Sequence, residues 1–113
     1  MSSSKQPAER RRSARKPTQI RGIAKTSQGG RHALEVTDLS VNGCAVVATG
    51  HPLRPGAAYG LKINGLETLG STSTWAAGKT AGLVFEHPLH PAVADHLVLL
   101  HPRPRDEPAL DEA

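Results

Sequence analysis

In a chain of 113 residues a single cysteine, Cys44, excludes an internal disulfide and the multi-cysteine zinc frameworks. No apolar run is long enough to cross a bilayer. The net charge of +4 is unevenly spread: residues 1–25 carry eight basic side chains against Glu9 alone, residues 26–100 carry four against five acids, and residues 101–113 carry two against four. The basic character therefore belongs to an N-terminal arm, which suits an anionic partner, while the remainder is slightly acidic.

Residues 1–16 have no apolar periodicity and read as a flexible basic arm. They lead into no hydrophobic segment, so they are not a secretory signal, and the expected setting is cytoplasmic, without membrane attachment. "PTQIRGIAKT" (17–26) alternates around Ile20 and Ile23 as a first strand, and "QGG" (28–30) is turn chemistry. "HALEVTDLS" (32–40) alternates His, Leu and Val against Ala, Glu and Thr, the pattern of a half-buried strand. In "VNG" the Asn42–Gly43 pair predicts a type I′ hairpin turn, which needs positive φ at both central residues. "CAVVAT" (44–49) follows as a third strand, with Cys44 as a buried small apolar residue, and "GHPLRPG" (50–56) is a loop. "AAYGLKING" (57–65) puts Tyr59, Leu61 and Ile63 on one face. "LETLGSTSTWAA" (66–77) alternates weakly through Leu69, Ser71, Ser73 and Trp75, and "KTAGLVFE" (79–86) is a sixth strand.

The period then changes. In "HPAVADHLVLLH" (90–101) Val93, Leu97 and Leu100 fall on a helical stripe, with Pro91 as first helical residue and Pro102 as stop. Short strands at regular spacing followed by one helix predict an all-β fold, a small six-stranded antiparallel barrel with a C-terminal α-helix. The division is a basic arm over 1–16, barrel plus helix over 17–101, and a disordered acidic tail over 102–113.

Three short motifs stand in order along this frame. "RRSAR" sets Arg11 and Arg15 four residues apart; the alternative register pairs Arg12 with Lys16. "DLSVNG" carries Asp38, Ser40 and Gly43 as D-x-S-x-x-G. "WAAGKTAGLVF" joins an aromatic-bearing strand to a Gly-x-x-Phe strand (Gly82, Phe85). Together they resemble the PilZ family, bacterial receptors for the second messenger cyclic di-GMP, over residues 9 to about 100. The resemblance implies a split β-barrel with a C-terminal helix and a stand-alone, monomeric, non-enzymatic receptor that relays the nucleotide to a protein partner. It also implies that Arg11, Arg15, Asp38, Ser40 and Gly43 bind the ligand. Arg10 is a further candidate, at the place where an intercalated dimer of the ligand would add its second molecule.

The chemistry of these side chains suits that ligand. Arginine forks to guanine O6 and N7, pairs with phosphate and lies flat on purines. A carboxylate at Asp38 accepts from guanine N1–H and N2–H, Ser40 donates or accepts, and Gly43 lets a base approach the backbone. Two alternatives remain: a PilZ-like adapter that contacts protein without ligand, and an arginine-arm nucleic-acid binder, disfavoured by the acidic domain and the scarcity of aromatics. His87, His90 and His96 lie close in sequence, but prolines interrupt a helical ligand spacing and no thiols accompany them, so neither a metal nor any other cofactor is expected. No catalytic motif is present.

Overall fold

The computed structural model describes residues 15–63 and 66–102. Among these residues six strands are present: β1 (Lys16–Lys25), β2 (Arg31–Leu39), β3 (Gly43–Ala48), β4 (Ala58–Ile63), β5 (Leu69–Ala77) and β6 (Thr80–Phe85). One helix, α1 (Pro91–Leu100), follows them. The strands close into a barrel in the order β1-β2-β3-β6-β5-β4, every pair antiparallel, with β1 bonded to both β2 and β4. Closure leaves no sheet edge unpaired.

The alternation expected from the sequence is visible in the interior. Ile20, Leu34, Val36, Val46, Leu61, Ile63 and Leu83 point inward and are almost fully buried. With few aromatics available, Ser71 and Ser73 also turn inward, their hydroxyls satisfied by the Leu69 and Trp75 carbonyls. Helix α1 contributes Ala94 and Leu97 to the same core. Its first turn is capped by His90, whose Nδ1 accepts the Ala92 amide at 3.0 Å, with Pro91 opening the helix as expected. At the other end, the His101 carbonyl accepts from the buried Thr18 hydroxyl (2.6 Å) and the Gln19 amide (3.1 Å). Lys16 pairs with Asp95 at 3.1 Å across the surface. The start of β1 is thus tied to the helix at two points.

Three expectations need correction. Leu100 does not belong to the buried stripe: the helix is anchored through Ala94 and Leu97, and its final two residues face outward, Leu99 77% and Leu100 58% exposed. The fifth strand starts at Leu69 rather than 66, because Leu66 is held back by a turn bond from its amide to the Ile63 carbonyl. The type I′ turn at Asn42–Gly43 is absent: among the described residues positive φ occurs at Gly29, Gly56 and Gly78 only. The corner is held instead from outside, by Phe85 and Leu89 amides donating to the Asn42 and Val41 carbonyls.

Two irregularities prepare the outer surface. The register slips between Val36 and Asp38 in β2, and again between Ser73 and Trp75 in β5. An extra residue in a strand re-aims the side chains that follow it. Strict alternation would turn Asp38 inward with Val36, and Trp75 inward with Ser73. The slips give the inward place in β2 to Leu39, which is 1% exposed, and leave Trp75 outside at 42%.

Candidate functional site

Cross-strand pairing places the site. Asp38 lies opposite Ala45, Ala45 opposite Gly82, and Gly82 opposite Trp75, one continuous row across β2, β3, β6 and β5. The row lies between two buried ones, Leu39–Cys44–Leu83–Ser73 on one side and Val36–Val46–Ala81 on the other. It therefore faces outward. Its two end residues are Asp38 and Trp75, whose backbones lie about 14 Å apart over three strand spacings. Its middle carries only a methyl group and a hydrogen. The indole leans across β6, so that a Cβ on Gly82 would stand 2.2 Å from the Trp75 Nε1. Glycine at 82 is what lets the ring lie down.

Beside this row runs a shallow cleft of about 250 Å³ lined by Arg15, Ser40, Asn42, Gly43, Thr74, Trp75, Gly82 and Val84. Of the residues singled out from sequence, Arg15, Ser40 and Gly43 meet in this cleft, and Asp38 stands on the adjoining row rather than in it. Arg10 and Arg11 lie outside the described residues, as does Arg12 of the alternative register. Three larger clefts, about 690 Å³ beside Arg21, Glu35 and Lys62, about 580 Å³ along the helix and about 380 Å³ beside Glu67 and His87, gather none of the motif residues.

The serine and glycine of D-x-S-x-x-G have structural work at the corner. Ser40 is 8% exposed; its hydroxyl donates to the Gly43 carbonyl at 3.3 Å and accepts the Asn42 amide at 3.2 Å. Its own amide donates to the same Gly43 carbonyl at 2.9 Å. A Cβ on Gly43 would stand 2.2 Å from the Leu83 carbonyl oxygen, inside any real contact. Close approach of β6 requires this glycine, and positive φ does not. Trp75 and Asn42 are site-lining residues that the motif reading passed over. The exposed aromatic was legible as a residue type, but its outward aim depends on the slip in β5.

Cys44 sits beneath the cleft, 3% exposed. Burial pushes its thiol up to about 12, only partly offset by the positive charge of Arg15 nearby. A thiol held protonated in this way is a packing residue, not a nucleophile, at neutral pH. His90 is used as the helix cap, and among the described residues no three His, Cys, Asp or Glu side chains gather as metal ligands. No helix among them is long and apolar enough to cross a membrane.

No protein-family model matches this chain, and no curated protein matches it.

Proposed function

We propose that the chain is a receptor for cyclic di-GMP that binds the nucleotide on the outer face of β2, β3, β6 and β5. The observation that carries this reading is the row Asp38–Ala45–Gly82–Trp75 beside the cleft that holds Arg15. The indole, lying over Gly82, and the low Ala45 beside it accept a planar ring. An aromatic at one end stacks on it, and a carboxylate at the other accepts from the N1–H and N2–H donors that guanine has and adenine lacks. Arg15 supplies a planar cation for phosphate or for the guanine O6/N7 edge. The motif order that resembles PilZ domains supports the same ligand. Arg11 is proposed as the second arginine and Arg10 as the residue meeting a second, intercalated ligand molecule.

The output is proposed to be a protein contact. Leu99 and Leu100, exposed at the end of α1, offer an apolar surface for it. Lys16 and Thr18, directly after Arg15, are bonded to Asp95 and His101 of that helix and its cap. A shift of the Arg15 segment on ligand capture is thereby passed to the helix. The same exposed pair favours a second reading, a protein adapter that binds no nucleotide.

Trp75 is the chain's sole tryptophan, so its fluorescence reports on the proposed site alone. Cyclic di-GMP is expected to change the emission saturably, and cyclic di-AMP to do so only at much higher concentration. A single-stranded oligonucleotide is expected to act weakly and to lose its effect steeply as salt rises. Unchanged emission with all three would favour the adapter. An oligonucleotide response exceeding that of cyclic di-GMP would favour nucleic acid.

A further inference from the structure

We propose that the outer face of β1, β2 and β4 docks the chain's own acidic segment, residues 106–112, which lies outside the described residues. The face is centred on β1, which stands opposite β6 in the closed order of strands. The docking is therefore independent of any nucleotide held beside Trp75.

The register shows what this face carries. Three rows point outward: Arg21–Glu35, then Lys62–Ile23–Ala33, then Gly60–Lys25–Arg31. The rows between them, Ile63–Gly22–Leu34 and Leu61–Ala24–His32, turn inward, and Ile63, Leu34, Leu61 and Ala24 are at most 2% exposed. Arg21, Lys25, Arg31 and Lys62 are all exposed, four of the eight basic side chains among the described residues. Glu35 is the one acid on these rows. No carboxylate of the described residues forms an ion pair with any of the four; the pair found there is Lys16–Asp95. Lys62 Nζ donates to the Leu66 carbonyl at 2.8 Å, an uncharged partner that leaves its charge in place. Cations gathered in this way repel one another and attract an anion.

Charge is not the whole of it. The cleft of about 690 Å³ lies on this face, lined by Ile23 and Ala33 as well as by Arg21 and Lys62. A fitting occupant sets acids along an extended chain with apolar side chains between them. Residues 106–112 read Asp-Glu-Pro-Ala-Leu-Asp-Glu, with no base among them. Glu107 and Asp111 are four residues apart, the separation of Arg21 and Lys25 along β1. Ala109 and Leu110 fall between those acids as Ile23 falls between those cations. The basic arm is the rival cationic partner, but the apolar residues within 5–16 are Pro7, Ala8 and Ala14 alone, and none matches Ile23.

The chain also leaves the barrel at the right place. The His101 carbonyl accepts from the Gln19 amide and the Thr18 hydroxyl, so Pro102 starts beside a β1 residue two short of Arg21. Lys25 lies six residues beyond Gln19, about 20 Å along the strand. The nine residues from 102 to 111 reach up to about 30 Å. The acids thus span the face while the helix stays where it is. Docked there, the segment screens these cations from other anions.

The test puts a nitroxide on an Ala113→Cys variant of the full chain and reads the broadening of backbone amide NMR signals. Cys44 is buried with its thiol held protonated, so the label goes to the introduced thiol. At about 0.01 M salt the amides of Arg21, Ile23, Lys25 and Lys62 should broaden, while those of Thr72, Thr80 and Val84 keep their intensity. At about 1 M salt, where screening acts within about 3 Å, the broadening should vanish. It should also vanish at low salt when Arg21→Gln and Lys62→Gln are combined. The same loss is expected when Asp106→Asn, Glu107→Gln, Asp111→Asn and Glu112→Gln are combined, with the other barrel signals reporting an intact fold. No broadening at low salt, equal broadening on every face, or broadening confined to the helix amides would overturn the proposal. Persistence in the Arg21→Gln, Lys62→Gln chain would overturn it in favour of the arm. Broadening of isotope-labelled chains by added spin-labelled ones would overturn it in favour of a second copy.

Discussion

Gly43→Val is expected to be the most damaging single substitution in the barrel, lowering stability by about 3 kcal/mol, the upper range for overpacking a tight site. The obstacle is backbone. A Cβ at 43 meets the Leu83 carbonyl oxygen at 2.2 Å and the Leu83 carbonyl carbon at 3.2 Å. Leu83 belongs to β6, which is paired to β3 on one side and β5 on the other, so the strand has nowhere to retreat. For a domain of this size the loss corresponds to a fall in thermal midpoint of roughly 12–24 °C. Gly82→Ala is the control. The three atoms nearest its Cβ all belong to the indole of Trp75, a half-exposed side chain able to swing away. That variant should keep nearly all its stability while shifting tryptophan emission. Equal thermal midpoints for the Gly43→Val and unaltered chains would show that the two strands do not approach as closely as described.

Asp38→Asn should show the opposite profile, a large effect on ligand and a small one on the fold. The carboxylate lies on the outer row, level with Ala45 of β3 and Pro17 of β1, so the core does not depend on it. The amide keeps the shape but replaces one acceptor oxygen with a donor, which faces the N1–H and N2–H donors of guanine. Loss of a charge-assisted hydrogen bond is worth about 1.5–3 kcal/mol, or roughly ten- to a hundredfold in affinity for cyclic di-GMP. Stability should change by no more than about 0.5 kcal/mol. Arg15→Ala, at an exposed position, should behave alike. Normal cyclic di-GMP binding by both variants would move the ligand off this face.

The sequence made the barrel and its helix legible because their signals are local and repeated. Alternation through Leu34 and Val36, or through Tyr59, Leu61 and Ile63, needs only the period of a strand. The outward aim of Asp38 and Trp75 was not legible, since the same period turns both inward. A slip in register is decided by the strand opposite, here by how Ala45 and Gly82 pair, and no local pattern announces it. Gly43 reads from the sequence as a turn residue; its actual constraint, the Leu83 carbonyl, comes from a strand forty residues away in sequence. Leu100 shows the same limit from the other side. Helical spacing places it on the apolar stripe, yet in the last turn Leu97 and Val98 face the barrel and Leu100 turns to the open side.

Calorimetric titration of the full chain with cyclic di-GMP, repeated with cyclic di-AMP, tests the central claim most directly. The account predicts saturable binding of the guanine nucleotide in the micromolar range or tighter, about −8 kcal/mol. Two molecules should bind per chain if Arg10 meets an intercalated pair, and cyclic di-AMP should bind at least about tenfold more weakly. Absence of binding heat with cyclic di-GMP at several temperatures, or equal affinity for the two nucleotides, would contradict it.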